Sequence, residues 1–213
     1  MRSRHADVFN HDDEAAGYDA DVADESHPVR AGYRATLAWV VARAEVGPTD
    51  VVVDLGAGTG NLSAQLPRAH RLVCVDVSER MMEIARQKLG PGVDYVRSDL
   101  LEWADRPDRC DVVVSTYAIH HLTPEEKLAL LTGVAARLEA GGRLAVGDLM
   151  AAGRDVVPAL RRRLAHPDVD ELFEDEYAWF VDETVVALAE IGFTRIAVEQ
   201  LSDLSWGVAA RLA

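Results

Sequence analysis

The sequence predicts an α/β fold in which a mainly parallel β-sheet carries helices on both of its faces. Short runs of branched apolar residues alternate along the chain with segments of helical periodicity, as in parallel strands joined by crossover helices. Several of these apolar runs end in an acidic residue, and the first leads directly into a turn that contains three glycines. Together these patterns predict parallel strands whose carboxyl ends meet at one edge of the sheet.

The length and composition are those of an ordinary globular protein. The 213 residues, of which 49% are hydrophobic and 27% charged, suit one domain with a complete hydrophobic core. Cys74 and Cys110 lie in strand-like runs, so we expect buried free thiols and neither a disulfide nor a metal pair. No apolar run approaches the ~20 residues that span a bilayer, and no signal-peptide core is present. We therefore expect a cytoplasmic protein without membrane association.

The charge balance argues against nucleic acid as a partner. The formal net charge is −14, whereas binding to phosphate groups requires clustered Lys and Arg. The only compact basic group is Arg161–Arg163, and acidic residues surround it in the sequence.

The stretch Val51–Asn61 is the most informative part of the chain. Three branched residues run into Asp54, and glycines follow at alternate positions before helical periodicity begins at Leu62. Glycines allow unusual φ values and close approach of the backbone to a ligand. A dinucleotide fingerprint requires a small residue at the sixth position from Gly56, where this chain has Asn61. The acid at Asp54 opposes a pyrophosphate and favours a ligand with a positive charge.

This stretch resembles motif I of the class I S-adenosylmethionine-dependent methyltransferases, an apolar run and an acid followed by x-Gly-x-Gly-x-Gly. The resemblance implies a Rossmann-like, doubly wound, mainly parallel seven-stranded sheet with an antiparallel last strand. It implies S-adenosylmethionine as the cofactor, S-adenosylhomocysteine as its product, and no metal. Asp54 would lie near the methionyl ammonium. The turn would make room for the cofactor with Gly56, Ala57, Gly58, Gly60 and Asn61.

The second predicted strand, Arg71–Asp76, also ends in an acid. Asp76 follows Gly56 by 20 residues, a spacing at which a carboxylate at a strand end accepts both hydroxyls of a ribose. The alternative is a helix cap, for which Ser78 is the better candidate. In the methyltransferases that the chain resembles, Met81 would lie on the adenine face and Val77 would also contact the cofactor. Met81 is equally compatible with core packing.

The third predicted strand, Asp94–Asp99, ends in Ser98 and Asp99. The same resemblance implies that Asp99 accepts a hydrogen bond from the adenine amine, that the Leu100 N–H meets a ring nitrogen, and that Ser98 lies in the same site. The alternative is a cap on a helix over Leu101–Ala104. Because parallel strands present their carboxyl ends at one sheet edge, acids far apart in the sequence can converge there.

A fourth strand, Cys110–Ser115, opens into Thr116–Leu122, which contains His120 and His121. This segment resembles the stretch, often ending His-His-Leu, at which small-molecule methyltransferases bring methyl group and acceptor together. Ser115 and Thr116 would line the methionine end of the cofactor. Either histidine could accept a proton from the acceptor, because neutral imidazole titrates near neutral pH. The alternative is that they pack and hydrogen-bond locally.

We predict one domain over residues 1–213, with an N-terminal cap segment at 1–45 and an insertion at 151–181 that forms part of the acceptor pocket. Ala16–Asp19 resembles the x-x-Tyr-Asp signature that precedes the core of many small-molecule methyltransferases, and places Tyr18 near the methionine carboxylate. The acids and aromatic residues of the insertion are equally compatible with a solvated helix face. Thr123–Glu126 predicts the start of a helix that reaches Leu138, and the two last strands would pair antiparallel. Shorter helices are predicted at Leu62–Leu66 and Val156–Leu164, each ended by the proline that follows it, Pro67 and Pro167.

The predicted function is methyl transfer from S-adenosylmethionine to an oxygen or nitrogen of a small molecule, by in-line displacement. The alternatives are a non-catalytic S-adenosylmethionine-binding protein and another Rossmann nucleotide binder. We expect a monomer or a homodimer. Asp148 and Asp155 offer too few oxygen ligands to predict a metal site.

Overall fold

The computed structural model describes residues 2–3, 11–174 and 177–213. Its main sheet has the order β3-β2-β1-β4-β5-β8-β7, in which the first five strands are mutually parallel and β8 runs antiparallel to both neighbours. The strands are β1 (Val51–Leu55), β2 (Arg71–Asp76), β3 (Asp94–Arg97), β4 (Cys110–Thr116), β5 (Leu138–Ala151), β6 (Trp179–Phe180), β7 (Phe193–Gln200) and β8 (Ser205–Leu212). The predicted sheet of seven strands with an antiparallel last strand is confirmed. A two-residue strand, β6, pairs with the end of β5 outside this order.

Helices cover both faces of the sheet. They are α1 (Tyr18–Asp21), α2 (Tyr33–Ala44), α3 (Glu79–Leu89), α4 (Leu100–Ala104), α5 (Pro124–Arg137), α6 (Val157–Leu164), α7 (Pro167–Glu174) and α8 (Val181–Ile191). Thr123 and Glu126 form the predicted capping box at the start of α5. Within the described residues, no helix is both long enough and apolar enough to cross a membrane.

Neighbouring residues of each strand point to opposite faces and build two separate cores. Val53 of β1 joins Trp103 of α4 and Leu130 of α5 in one core, whereas Val52 joins α2 and α7 in the other. Burying each of these branched and aromatic side chains contributes roughly 1.5–3 kcal/mol to the free energy of folding. The two cores therefore hold the edge of the sheet firmly in place. Both cysteines are free and buried in the sheet, as predicted.

Two local predictions need correction. The helix predicted at Leu62–Leu66 is only a 3₁₀ turn at Ser63–Gln65, because Leu66, which precedes Pro67, is already extended. The helix predicted to reach Leu138 ends at Arg137, and the Gly141–Gly142 region belongs to β5. The helix predicted at Val156–Leu164 ends before Pro167 as expected, and Pro167 then begins α7, as the first helical position allows.

The cap segment at 1–45 and the insertion at 151–181 meet in one of the two cores. Val22 and Val29 of the cap pack in the same buried cluster as Val169 and Leu172 of α7. Residues 1 and 4–10 of the cap, and 175–176 of the insertion, lie outside the described residues.

Candidate active site

A cavity lies at the carboxyl ends of β1, β2 and β4, where the strand order reverses between β1 and β4. Such a reversal leaves a crevice in which α/β proteins bind ligands. Both predicted histidines, His120 and His121, line this cavity. So do twelve of the fifteen residues predicted to contact a cofactor: Tyr18, Gly56, Ala57, Gly58, Asn61, Asp76, Val77, Met81, Ser98, Asp99, Leu100 and Thr116.

Three predicted residues, Asp54, Gly60 and Ser115, do not line the cavity. Ser115 is fully buried in β4, and its hydroxyl donates to the Leu55 carbonyl at 2.7 Å. Gly60 faces α3, where an added Cβ would lie 3.1 Å from Leu89. Its lack of a side chain therefore serves helix packing and not the cavity. Asp54 lies within β1, behind the turn.

The glycine turn, residues 56–61, is hydrogen-bonded to β2 and lies close against the loop after β4. The N–H groups of Gly56 and Ala57 donate to the Val75 carbonyl at 2.8 and 3.0 Å. Gly56 has a φ of +70°, and a Cβ there would lie only 2.2 Å from that of Ala118. Gly58, with a φ of +52°, has nothing within 4 Å of its Cβ position and lines the cavity. Gly56 therefore serves the close approach of the backbone segments, whereas Gly58 keeps space open.

Asp54 is a buried acid at the back of this turn. Its Oδ2 accepts from the Ser63 hydroxyl at 2.6 Å, and its buried Oδ1 has no hydrogen-bond partner among the described residues. Burial raises the pKa of Asp54 to about 7, with repulsion from Asp76 adding to the shift and the Ser63 hydroxyl opposing it. A cationic group near this carboxylate would favour its ionised form.

Replacing Asp54 by Asn should change how stability depends on pH. Because the folded protein holds the Asp54 proton up to about pH 7 and the unfolded chain releases it near 3.8, wild-type stability falls as the pH rises between these values. The raised pKa of Asp54 destabilises the folded wild type by at most about 4 kcal/mol. The Asn variant has no such proton to release and therefore escapes this destabilisation. We expect the ligand-free variant to gain stability over the wild type between pH 5 and pH 8, measured by urea unfolding. Parallel pH profiles for the two proteins would contradict this account.

Asp76 ends β2 and lines the cavity. Its Oδ2 accepts from the Gly58 N–H at 2.7 Å and its Oδ1 from the Ser78 N–H at 2.8 Å. Burial raises the pKa of this carboxyl group, and the two backbone donors oppose the shift. The alternative role of Asp76 as a helix cap is not realised, because Ser78 caps α3 by accepting from the Met81 N–H at 3.0 Å. Met81 is both buried and part of the cavity wall.

Asp99 both lines the cavity and caps α4. Its Oδ1 accepts from the N–H groups of Leu101, Glu102 and Ser3 at 2.9, 3.3 and 3.2 Å. The capping alternative therefore holds, and it leaves the carboxylate fixed at the edge of the cavity.

The cap segment is hydrogen-bonded to the glycine turn and to α3. Asp19 accepts from the Thr59 hydroxyl at 2.6 Å, from the Asn61 amide at 3.0 Å and from the Lys88 ammonium at 2.8 Å. Only Tyr18 of the x-x-Tyr-Asp signature was predicted as a site residue, although the neighbouring acid, Asp19, belongs to the same pattern. Burial raises the pKa of Tyr18, so this phenol stays protonated at neutral pH.

Several other lining residues were not found from the sequence. Tyr33 and Tyr117 stack with ring centroids 5.3 Å apart, and the Tyr117 hydroxyl contacts the Thr36 hydroxyl at 3.0 Å. Burial raises the pKa of Tyr117 to about 12. Its φ of +51° marks the sharp turn after β4, a strained conformation for a residue with a side chain. Arg30 also lines the cavity and makes no ion pair with any described residue.

The segment Thr116–Leu122, which we call the histidine loop, is hydrogen-bonded to two charged side chains. Asp148 of β5 accepts from the His120 ring at 2.6 Å. Lys127 of α5 donates to the carbonyl groups of His120, Leu122 and Tyr177. Burial lowers the pKa of Lys127 to about 7, although the carboxylates of Asp148 and Glu126 oppose the shift. Lys127 thus joins the histidine loop to the segment that follows α7.

Replacing Lys127 by Met should destabilise the protein, because it leaves buried carbonyl groups without their donor. We expect a loss of about 1–3 kcal/mol in the free energy of unfolding, since removing the buried ammonium offsets part of the lost hydrogen bonds. Urea unfolding measures this change. Thr132→Ala, on the exposed side of the same helix, is the control and should stay within about 0.5 kcal/mol of the wild type. Equal stability of both variants would show that the Lys127 contacts contribute little.

Among the described residues, one group of side chains has metal-ligand spacing. His27 of the cap meets His166 and Asp168 of the insertion with ligand atoms within 4.8 Å of one another. All three are partly exposed, and Asp168 also lines the cavity. The cluster lies at the contact between the cap and the insertion.

Comparison with known proteins assigns the chain to a family. Residues 52–142 match the family model described as a methyltransferase domain. An uncharacterized methyltransferase of Geobacillus sp. (strain WCH70) is 32% identical over 92% of this chain and 90% of its own length. One from Oceanobacillus iheyensis is 30% identical over 94% of this chain and 92% of its own length. The protein therefore belongs to the methyltransferase family.

Solved structures agree with this assignment at the level of the fold. A DhpI complex with S-adenosylhomocysteine has a TM-score of 0.70 at 18% identity, covering 95% of this chain and 93% of its own. Magnesium protoporphyrin IX methyltransferase from Synechocystis PCC 6803 with bound S-adenosylhomocysteine has a TM-score of 0.68 at 22% identity, covering 98% of both chains. The shared fold is that of the class I S-adenosylmethionine-dependent methyltransferases.

Proposed function

We propose that the protein transfers the methyl group of S-adenosylmethionine to an oxygen or nitrogen atom of a small-molecule acceptor. The observation that carries this proposal is that one cavity joins the glycine turn and two strand-end carboxylates to the histidine loop. Membership of the methyltransferase family supports the reaction type, and the negative net charge supports a small acceptor over a nucleic acid.

The residues around the cavity fit the chemical groups of this cofactor. Asp54, behind the glycine turn, offers a buried oxygen that has no hydrogen-bond partner among the described residues, which suits the charge of an ammonium group. Open space at Gly58 lets a ligand lie against the turn. Asp76 and Asp99 supply fixed carboxylates for ribose hydroxyls and an adenine amine, and Met81 with Leu100 supplies apolar surface for the ring. Tyr18, Asn61, Val77, Ser98 and Thr116 complete the proposed contacts, with Ser115 and Gly60 supporting the wall from behind.

S-adenosylmethionine supplies an activated methyl group on a sulfonium. The work of the protein is to align the acceptor and to exclude water, which are the main sources of rate in such a displacement. Tyr33, Tyr117 and Leu122 give the acceptor end of the cavity aromatic and apolar walls. Val29 and Arg30 of the cap and Asp168 of the insertion also line it. These contacts support the proposal that the cap and the insertion, in the parts that the structure describes, shape the acceptor pocket of a single domain.

Calorimetric titration with S-adenosylhomocysteine and, separately, with NAD tests the cofactor. We expect binding of the first and none of the second. Incubation with methyl-labelled S-adenosylmethionine and a metabolite extract then tests transfer, and labelled small molecules are the expected product. Binding without any labelled product would identify a cofactor-binding protein that is not an enzyme, whereas NAD binding alone would place the chain among nucleotide binders.

A further inference from the structure

The hydrogen bond between His120 and Asp148 is buried, and backbone N–H groups hold the Asp148 carboxylate in place. Asp148 is fully buried, and its Oδ1 accepts from the His120 ring at 2.6 Å and from the Leu149 N–H at 2.8 Å. Its Oδ2 accepts from the N–H groups of Ile119 and His120 at 2.9 and 3.2 Å. These four donors compensate for the lost hydration of a charged carboxylate and fix its orientation.

This arrangement determines which nitrogen of His120 is available. A carboxylate without a proton only accepts, so the ring nitrogen that faces it, Nδ1, must carry the hydrogen in the neutral imidazole. The lone pair is then on Nε2, which has no hydrogen-bond partner among the described residues. His120 lines the cavity, and Nε2 is the one ring nitrogen that could accept a proton from a bound acceptor.

The neighbouring histidine is a much poorer base. Burial lowers the pKa of His121, and the positive charges of His120, His11, Lys127 and Arg30 lower it further. His120, in contrast, contacts the carboxylate of Asp148 directly. The ring centroids of the two histidines are 3.9 Å apart, so a proton on His120 further disfavours a second on His121.

We propose that the methyl acceptor is a hydroxyl compound, that His120 is the catalytic base that takes the hydroxyl proton, and that Asp148 is the positioning residue that orients His120. This inference rests on the proposed methyl transfer. The acceptor oxygen forms its bond to the methyl carbon while the carbon–sulfur bond breaks and leaves its electron pair on sulfur. The hydroxyl proton passes to Nε2, which gives a methyl ether, S-adenosylhomocysteine and an imidazolium paired with Asp148. Water then removes the proton from the imidazolium.

The chemistry of the acceptor is what selects a hydroxyl. An alcohol or an ordinary phenol is a weak nucleophile near neutral pH unless a base removes its proton as the new bond forms. A thiol, with a pKa of about 8.5, ionises to a useful extent without such help. A neutral amine attacks with its own lone pair and releases its proton only after the new bond has formed, and a carboxylate has no proton to lose. A buried, carboxylate-oriented imidazole has a purpose in hydroxyl methylation that it lacks for these other acceptors.

The tautomer of His120 tests the geometry without any acceptor. Long-range proton–nitrogen NMR correlations of the ¹⁵N-labelled protein with S-adenosylhomocysteine distinguish the two neutral forms, and His120→Gln assigns the signals. We expect the form with hydrogen on Nδ1 in the wild type and loss of that preference in Asp148→Asn. A wild-type His120 with its hydrogen on Nε2 would overturn the proposal, because that nitrogen could not accept a proton.

Turnover tests the chemistry. Methyl-labelled S-adenosylmethionine is incubated with phenol, with a nitrophenol that is already ionised, and with aliphatic alcohols, amines and thiols. We expect methyl ethers, and kcat on phenol about 100-fold lower or more in His120→Gln and Asp148→Asn. On the ionised nitrophenol the loss should be only a few-fold, since no proton remains to be removed. A merely structural role would lower both rates equally.

Controls separate this inference from the proposed function. His120→Gln keeps Asp148 and its backbone donors in place, so it remains informative where Asp148→Asn unfolds. Both variants should bind S-adenosylhomocysteine as the wild type does, and Asp94→Asn, an exposed substitution on β3, should leave both rates unchanged. A wild-type protein that binds S-adenosylhomocysteine but methylates no hydroxyl compound in the panel would overturn the hydroxyl assignment alone. Failure to bind S-adenosylhomocysteine would overturn the proposed function itself.

Discussion

Replacing Asp76 by Ala should weaken the binding of S-adenosylhomocysteine by about 100-fold or more. Hydrogen bonds to a charged group contribute about 1.5–3 kcal/mol each, and the proposed ribose contact involves two hydroxyls. The substitution also frees the N–H groups of Gly58 and Ser78, which the carboxylate now orients. Isothermal titration calorimetry at one pH and salt concentration measures the change.

Asp76→Asn is the matched variant for this experiment. The amide keeps the size of the side chain and one acceptor oxygen, so an intermediate loss of affinity is expected. Asp111→Asn, at a carboxylate that accepts from the Val51 N–H away from the cavity, should bind as the wild type does. If Asp76→Ala retained affinity within a few-fold, the ribose role would be wrong and with it the orientation proposed for the cofactor.

Replacing Gly56 by Ala should destabilise the protein by about 3 kcal/mol or more and abolish binding of the cofactor product. The added Cβ would lie 2.2 Å from the Cβ of Ala118, at a φ of +70° that disfavours any side chain. Overpacking and backbone strain each cost roughly 1–3 kcal/mol. Relief of the clash would separate the glycine turn from the loop after β4, which holds the histidines. Urea unfolding and calorimetry measure the two effects.

Gly141→Ala separates the steric effect from backbone strain. Gly141 has a φ of +76°, close to that of Gly56, but nothing lies within 4 Å of its Cβ position. We expect this control to lose only about 1 kcal/mol and to retain binding. Similar losses in both variants would mean that the contact with Ala118 is relieved at little cost.

The sheet was predictable because its signals are local. Each early strand is an apolar run, and Asp54, Asp76 and Asp99 lie within two residues of the carboxyl ends of three of them. Topology then brings these acids to one edge of the sheet, so most of the residues proposed to contact the cofactor could be named from the sequence. The capping box at Thr123 was equally local, since it depends only on residues three apart.

Other features depend on distant packing that no short pattern reports. Gly60 belongs to the same glycine pattern as Gly58, yet only the position of α3 decides that it faces Leu89. From the sequence alone, Asp148 is only a candidate metal ligand, because its pairing with His120 requires the register of β5 against β4. Arg30 and Tyr33 reach the cavity because of the way the cap folds, and Tyr117 reaches it because of its own positive φ. Sequence periodicity reveals neither.

The attachment of the cap through Asp19 links two equilibria that would otherwise be independent. Thr59 and Asn61 belong to the wall of the cavity, and both donate to Asp19 of the cap. A molecule that orders this wall must also favour attachment of the cap. By the same free energy, the protein with its cap attached must bind that molecule more tightly. For the proposed methyl transfer, release of S-adenosylhomocysteine and release of Asp19 would therefore share one coupling free energy.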